Sequence, residues 1–392
     1  MVTDRQPDDQ YGWVIVFAGM FAMVFTFGTP YSYGIFLSPF AERYGTSIVA
    51  MSTIFSIELF AFYAGAGVVG IFATRCPSRA LLIGCGIVTA VLAPSLFIVE
   101  TYGGLLVVFA LLGGALGTVF VVLAAVVPQW FENRRGTATG VLLVGAGLSL
   151  FVLPPLWQVA LAHFGVEWGF FVVVSVSAVT FLLAGVVCRR PPWVRRSSIT
   201  TGDLTEWLVQ LAGGRRFQSL FLGVGLAFAW YYVLGAYAID LFIARGLTDS
   251  GASVAFGFIG GVSIASRLGS GGVADRIGYR RTLLAGIGCA AIGSSLLAIP
   301  HEYGFALAVL FLGIGLGATA SLYIPVITAT YSADKDTAVI GLFNVSMGIF
   351  ALLAPPVGTV LVTYTDSFSG AIGVTFATTV MSIVAIWYGT NE

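Results

Sequence analysis

Few side chains in this sequence can do chemistry, and Arg267 is the most telling of them. It sits in the stretch SGASVAFGFIGGVSIASRLGSGGVADRIGYRR, Ser250 to Arg281. The first 25 or so residues of that stretch are apolar or small, more than the roughly 20 needed to cross a bilayer. Arg267 lies about seven residues inside the charged end, some 10 Å below the polar boundary at about 1.5 Å of helix rise per residue. Holding a guanidinium there costs at least about 2.5–3.5 kcal/mol on the insertion scale, so its default reading is functional. Its planar fork donates two parallel hydrogen bonds to one carboxylate and stays charged at any working pH. Residues three, four or seven away include Gly260, Ser263, Ser270 and Gly271. That helical face is too small and polar for lipid, and predicts a border on a water-filled cavity. The competing reading is an ion pair that only locks two helices together.

Two acidic residues fall inside apolar spans. Glu58, in SIELFAFYAG, is near the middle of the second span. A carboxyl group isolated in a low dielectric suits a proton carrier. The alternative is a structural partner of Arg267 or of a backbone amide. Asp240, at the outer end of the seventh span, is either a gate or proton entry point or a solvated helix end. Asn344 on the glycine-rich eleventh span and Tyr323 beside Pro325 on the tenth are neutral groups able to orient a small ligand. Interhelical hydrogen bonding explains each equally well.

The remaining chemistry is sparse. Cysteines 76, 85, 188 and 289 show no paired spacing, and His163 and His301 are the only histidines, so no metal or haem site is expected. There is no GxxxxGK[ST] and no GxSxG, and Lys335 is the only lysine. The glycine pairs at 145/147 and 313/315 lack the third glycine of GxGxxG and read as helix-packing glycines. No cofactor is implied, an enzyme lacks a nucleophile–base set, and no basic tract suits nucleic acid.

The elements that must position these groups follow from composition. Of 392 residues, 58% are hydrophobic and 9% charged, against about 25% charged in soluble domains, so the chain belongs in a lipid bilayer. Its polar, acidic N-terminus, MVTDRQPDDQYG, reads as lacking a cleaved signal peptide. Hydropathy predicts twelve spans, near 12–38, 47–73, 79–98, 103–127, 137–163, 166–188, 217–242, 250–274, 281–299, 303–330, 337–363 and 368–389. Only the connection Arg189–Arg216 is long; it carries PPW, three arginine pairs and an amphipathic piece around Thr205–Leu211. With the N-terminus inside, fifteen of the 18 basic residues fall on cytoplasmic segments, Arg43 and Arg245 outside, and Arg267 in the membrane. That bias predicts both termini in the cytoplasm.

The chain also repeats. Shifted by 202, Arg79 meets Arg281 and Gly67 meets Gly269; shifted by 201, Gly140, Val144, Gly147 and Pro154-Pro155 meet Gly341, Val345, Gly348 and Pro355-Pro356. The expectation is an all-α membrane protein of twelve transmembrane helices in two pseudo-symmetric six-helix bundles, 1–188 and 217–392, joined by a cytoplasmic linker 189–216. Two homologous halves around a midplane site form the architecture of a secondary transporter.

The turn Gly272-Val-Ala-Asp275-Arg276-Ile-Gly278-Tyr-Arg280-Arg281 resembles the loop signature of the major facilitator superfamily. Within it the chain is similar to the monocarboxylate transporter family, through two stretches. One is Asp8-Asp9-Gln10-Tyr11-Gly12-Trp13-Val14 followed by Phe27-Gly28-Thr29-Pro30-Tyr31-Ser32-Tyr33-Gly34-Ile35-Phe36; the other is Trp130-Phe131-Glu132-Asn133-Arg134-Arg135-Gly136 running to Gly145. The resemblance implies a proton-coupled carrier of small monocarboxylates such as lactate or pyruvate, in the plasma membrane, with a monomer sufficient. It implies Arg267 as the carboxylate clamp, and Asp275, Arg276, Arg280, Arg281, Arg134 and Arg135 as a charge latch between halves or as plain topology signals. The chain departs from the pattern at Tyr31, where animal members carry lysine, and at Ser263, where they carry aspartate. Met347 stands where the related oxalate–formate exchangers carry lysine. Tyr31 is therefore expected either to line the pocket or to anchor an interface. One intramembrane cation favours a substrate with one carboxylate. The rival expectations are an anion exchanger of the oxalate–formate type, an exporter of an amphipathic organic acid, and a non-transporting membrane sensor.

Overall fold

The computed structural model describes residues 9–72, 76–132, 134–191, 210–299, 301–331 and 336–391. Arg5, Asp8, Arg75, Asn133, Arg195, Arg196, Lys335 and all but the end of the expected amphipathic piece lie outside these residues, as does the side chain of Arg135. The described chain is helical, without a strand. Helices α1 (Gln10–Tyr31), α2 (Leu37–Tyr44), α3 (Ile48–Phe72), α4 (Ser78–Leu92), α5 (Tyr102–Val126) and α6 (Arg135–Val187) build the first half. Helices α7 (Arg215–Ala244), α8 (Asp249–Ile277), α9 (Tyr279–Leu296), α10 (Glu302–Thr330), α11 (Asp336–Thr365) and α12 (Ser369–Thr390) build the second.

Ten of the described helices are long and apolar enough to cross a membrane. One of them, α6, is two spans. At about 1.5 Å per residue its 53 residues would reach about 80 Å, far beyond a ~30 Å hydrocarbon layer. Gly165 breaks it with φ 76° and ψ 177°, backbone that side chains with a Cβ rarely adopt. The chain folds back there, so that Gly169 packs on the backbone of Ala160. Helix α9, with 18 residues, completes the twelve. The lipid-facing surface is apolar, as a bilayer requires: Phe17 and Phe21 on α1, Val179 and Leu183 on α6, and Val384 and Trp387 on α12 are all exposed.

The pairing expected from the repeat recurs in three dimensions. Arg43 donates from Nη2 to the carbonyl of Leu96 at 2.7 Å, and its counterpart Arg245 donates to Leu297 at 3.0 Å and Ile299 at 2.9 Å. Each caps the last carbonyls of a helix, a favourable place for a cation. Arg43 also pairs with Glu167. These two arginines sit opposite the face that carries the chain termini, and their local bonds account for the two exceptions to the charge bias.

The halves meet along two seams of small residues. In one, α11 packs on α3, and a Cβ on Gly67 would lie 3.0 Å from the carbonyl oxygen of Gly341. In the other, the first limb of α6 packs on α8, with Gly260 against Leu150 and Gly147. Close backbone approach of this kind drives helix association in lipid. At the face opposite the termini, α1 breaks after Pro30 into a 3-10 turn, Tyr33–Phe36, before α2. Gly34 in that turn abuts the carbonyl of Gly235 on α7, its own repeat partner, at 2.9 Å from an added Cβ. That crossing closes the far end.

Candidate substrate site

Between the halves lies a cavity of about 310 Å³. Helices α1, α3, α5 and α6 form one wall, and α7, α8, α10 and α11 the other. Pro128, Thr139, Ile340 and Gly341 carry the lining toward the terminus-bearing end, since α5 finishes there and α6 and α11 begin there. In the opposite direction it stops at Tyr31 and Tyr231, whose rings meet edge-on at 5.0 Å. Beyond them the Gly34–Gly235 crossing and a hydrogen bond from Ser253 Oγ to Gln158 Oε1 (3.3 Å) seal the seam.

Among the described residues, Arg267 is the only charged side chain in this lining. It is half-buried, its Nε is fully buried without a hydrogen-bond partner, and among the described residues no carboxylate pairs with it. Its electrostatic neighbours are four phenols, Tyr31 and Tyr63 from one half and Tyr231 and Tyr323 from the other. Tyr31 and Tyr63 share a hydrogen bond between their hydroxyls at 2.8 Å. An arginine with an idle donor beside neutral hydroxyls is arranged to receive an anion, because burying an unpaired charge is costly. The ion-pair reading of Arg267 therefore has no partner to support it. Asn344, also in the lining, leaves its Oδ1 buried and unbonded.

The structure brings Tyr31, Arg267, Tyr323 and Asn344 around one space and leaves the other expected residues outside it. Ser263 corrects the expectation of a wet face on α8. It is fully buried, its hydroxyl donates to the carbonyl of Gly260 at 2.7 Å, and it faces Gly147 of α6. Ser270 is similarly engaged with Ser321 of α10 at 2.8 Å. Gly260, Ser263 and Ser270 thus belong to packing seams, and only Arg267 of α8 lines the cavity.

Glu58 is not a partner of Arg267. It is fully buried in α3, and neither carboxyl oxygen finds a hydrogen-bond partner. Tyr33, whose hydroxyl is also buried and unbonded, is an electrostatic neighbour. The backbone of Glu58 packs on Gly113 of α5, just as that of Ile259 packs on Gly313 of α10 in the other half. The position needs only an apolar side chain for packing, and Ile259 supplies one there. An acid at Glu58 therefore calls for a reason other than packing. Asp240 is exposed near the end of α7 and does not line the cavity.

Among the described residues, no contact of the expected latch spans the halves in this conformation. Arg280 donates to the carbonyl of Trp387 at 3.1 Å and to Asn391, both in its own half. Asp275 accepts from Tyr279 at 3.3 Å, while Arg134, Arg276 and Arg281 are exposed. Gly278, with φ 94°, is the single residue between α8 and α9, so the signature loop is first of all a tight turn.

Sequence reasoning passed over Tyr63 and Tyr231. Tyrosines collect at membrane interfaces, so Tyr231, near the middle of the 30-residue α7, is the signal that was available.

A sequence profile described as Major Facilitator Superfamily matches residues 15–301 and 219–392. Among curated proteins, the chain is 29% identical over 299 residues to the MFS-type transporter pytF of Aspergillus terreus, covering 71% of this chain and 97% of that protein. It is 26% identical over 394 residues to monocarboxylate transporter 11 of Mus musculus, covering 93% and 84%. With monocarboxylate transporter 13 of Bos taurus it shares 28% over 185 residues, 47% of this chain and 43% of that one. Among solved structures, a bacterial homolog of the human lysosomal transporter Spinster, inward-facing and unoccupied, superposes with TM-score 0.69 over 98% of this chain and 97% of that one, at 15% identity. With two six-helix halves around a central cavity and a profile match over most of its length, the chain belongs to the major facilitator superfamily of membrane transporters.

Proposed function

We propose that the protein is a secondary active transporter that moves a small monocarboxylate together with a proton by alternating access. The observation that carries this reading is Arg267, with a buried unbonded Nε and no carboxylate partner among the described residues, in a cavity shared by both halves. A carboxylate entering the cavity takes two parallel bonds from that fork and lowers the cost of keeping it buried. The relatives named monocarboxylate transporters point the same way. A single cation in the lining disfavours a dianion such as oxalate. No chemical step on the substrate is assigned.

Glu58 is the residue proposed to bind the proton, being a buried acid without a structural partner; Asp240, already in contact with the surroundings, is a weaker candidate. Coupling requires that proton and anion together favour the switch more than either alone. Residues 1–188 and 217–392 then rock against each other about the α3–α11 and α6–α8 seams, while 189–216 joins them. Asp275, Arg134, Arg276 and Arg281 are proposed to pair when the terminus-bearing face closes. The arginine bias supports a cytoplasmic position for that face, and the plasma membrane is the membrane proposed.

Reconstituted proteoliposomes test this reading. A pH gradient, acid outside, should drive saturable uptake of labelled lactate without an internal counter-anion. Flux that ignores the gradient and needs internal anion would replace symport by exchange; absence of any carboxylate flux would reject the carrier reading.

A further inference from the structure

The walls of the cavity say more about the acid than its carboxylate. Beside Arg267 and Asn344, the space is framed by rings from both halves. Phe27 and Phe120 stand on one side, 5.2 Å apart and edge to face; Phe228 and Tyr323 stand on the other, 5.6 Å apart at 84°. Tyr31 and Tyr231 close the inner end. A lactate bound to Arg267 would leave most of about 310 Å³ filled with water against these rings. Such water is readily displaced, and its replacement by an apolar group adds affinity. Rings in edge-to-face pairs present both faces and edges, and a further ring in the same space extends that arrangement at centroid spacings of about 4.5–7 Å.

We infer that the preferred cargo is an aromatic monocarboxylate, an acid whose flat apolar body fills the space between Phe27–Phe120 and Phe228–Tyr323 while Arg267 holds its carboxylate. This rests on the reading above that Arg267 takes a carboxylate, and it adds the chemical class of the body. The two halves each supply one wall, so the ring also ties cargo recognition to the closing of the halves on each other. The guanidinium sets one end, and with no second cation in the lining among the described residues the other end is free to be apolar.

The test is calorimetric titration of the full chain in lipid nanodiscs with phenylacetate, cyclohexylacetate, lactate and neutral phenylacetamide. Phenylacetate should bind about tenfold or more tightly than lactate and at least about threefold more tightly than cyclohexylacetate, and phenylacetamide should not bind. Phe228→Leu should cost phenylacetate about tenfold, more than it costs lactate, with a thermal unfolding midpoint close to that of the wild type to show that the variant is folded. Lactate binding as tightly as phenylacetate, with dependence on Arg267 retained, would overturn the aromatic inference and leave the monocarboxylate reading standing. Cyclohexylacetate equal to phenylacetate would overturn the aromatic part in favour of any apolar body. Phenylacetamide equal to phenylacetate, or no binding by any acid, would remove both readings.

Discussion

Replacing Glu58 by isoleucine, the residue its repeat counterpart Ile259 carries, is predicted to make the protein more stable and to uncouple it from the proton. In the folded chain the carboxyl group is fully buried with neither oxygen bonded. Leaving a buried polar group unsatisfied costs about 1–3 kcal/mol, which an apolar side chain of similar volume recovers. Unfolding entropy near 2.1 cal/mol/K per residue, over 392 residues, is about 0.8 kcal/mol/K, so the midpoint should rise by about 1–4 °C. Thermal unfolding of the purified protein, followed by tryptophan fluorescence, reads that shift. Proteoliposomes read the second half: uptake by Glu58→Ile and by the closer isostere Glu58→Gln should no longer respond to an imposed pH gradient. A fall of several degrees in Glu58→Ile would mean that the carboxyl group has a structural partner. If gradient-driven uptake also survived in both variants, the proton would have to be carried elsewhere.

Two further substitutions test the packing that positions the site. Gly34→Val should obstruct the crossing with Gly235, where an added Cβ already sits 2.9 Å from a carbonyl oxygen, and hold the far end open. Spin labels on the exposed Ile48 and Asp249 should then report longer distances than in the wild type; unchanged distances would refute the closure assigned to that crossing. Gly117→Ala places a methyl group on the carbonyl of Phe62 and should cost about 1–3 kcal/mol, whereas Gly114→Ala, with nothing within 4 Å of its Cβ, should be tolerated. Equal thermal midpoints for the two would contradict the α3–α5 seam as described.

Much of this was legible in the sequence because the bilayer restricts the choices. Long apolar runs must be helices, and the expected 250–274 and 47–73 reappear as Asp249–Ile277 and Ile48–Phe72. Arg267 stood out because a guanidinium in lipid has few other uses. The face of α8 was misread because glycine and serine suit a wet cavity and a close helix contact alike. Ser263 and Ser270 serve the second role, and only their partners on α6 and α10 distinguish the two. Glu58 could not be separated from Arg267 by spacing, since pairing across helices is decided by tertiary packing. Tyr63 and Tyr231 were passed over because an aromatic residue in an apolar span reads as core until its hydroxyl is seen beside a cation.

The most direct test of Arg267 as the anion site is binding to the purified protein before any transport is measured. Calorimetric titration of a monocarboxylate should give a saturable signal in the wild type and a loss of about 2–5 kcal/mol in Arg267→Gln, some thirtyfold to several thousandfold in affinity, with thermal unfolding little changed. Undiminished binding by a folded Arg267→Gln would contradict the account at its centre.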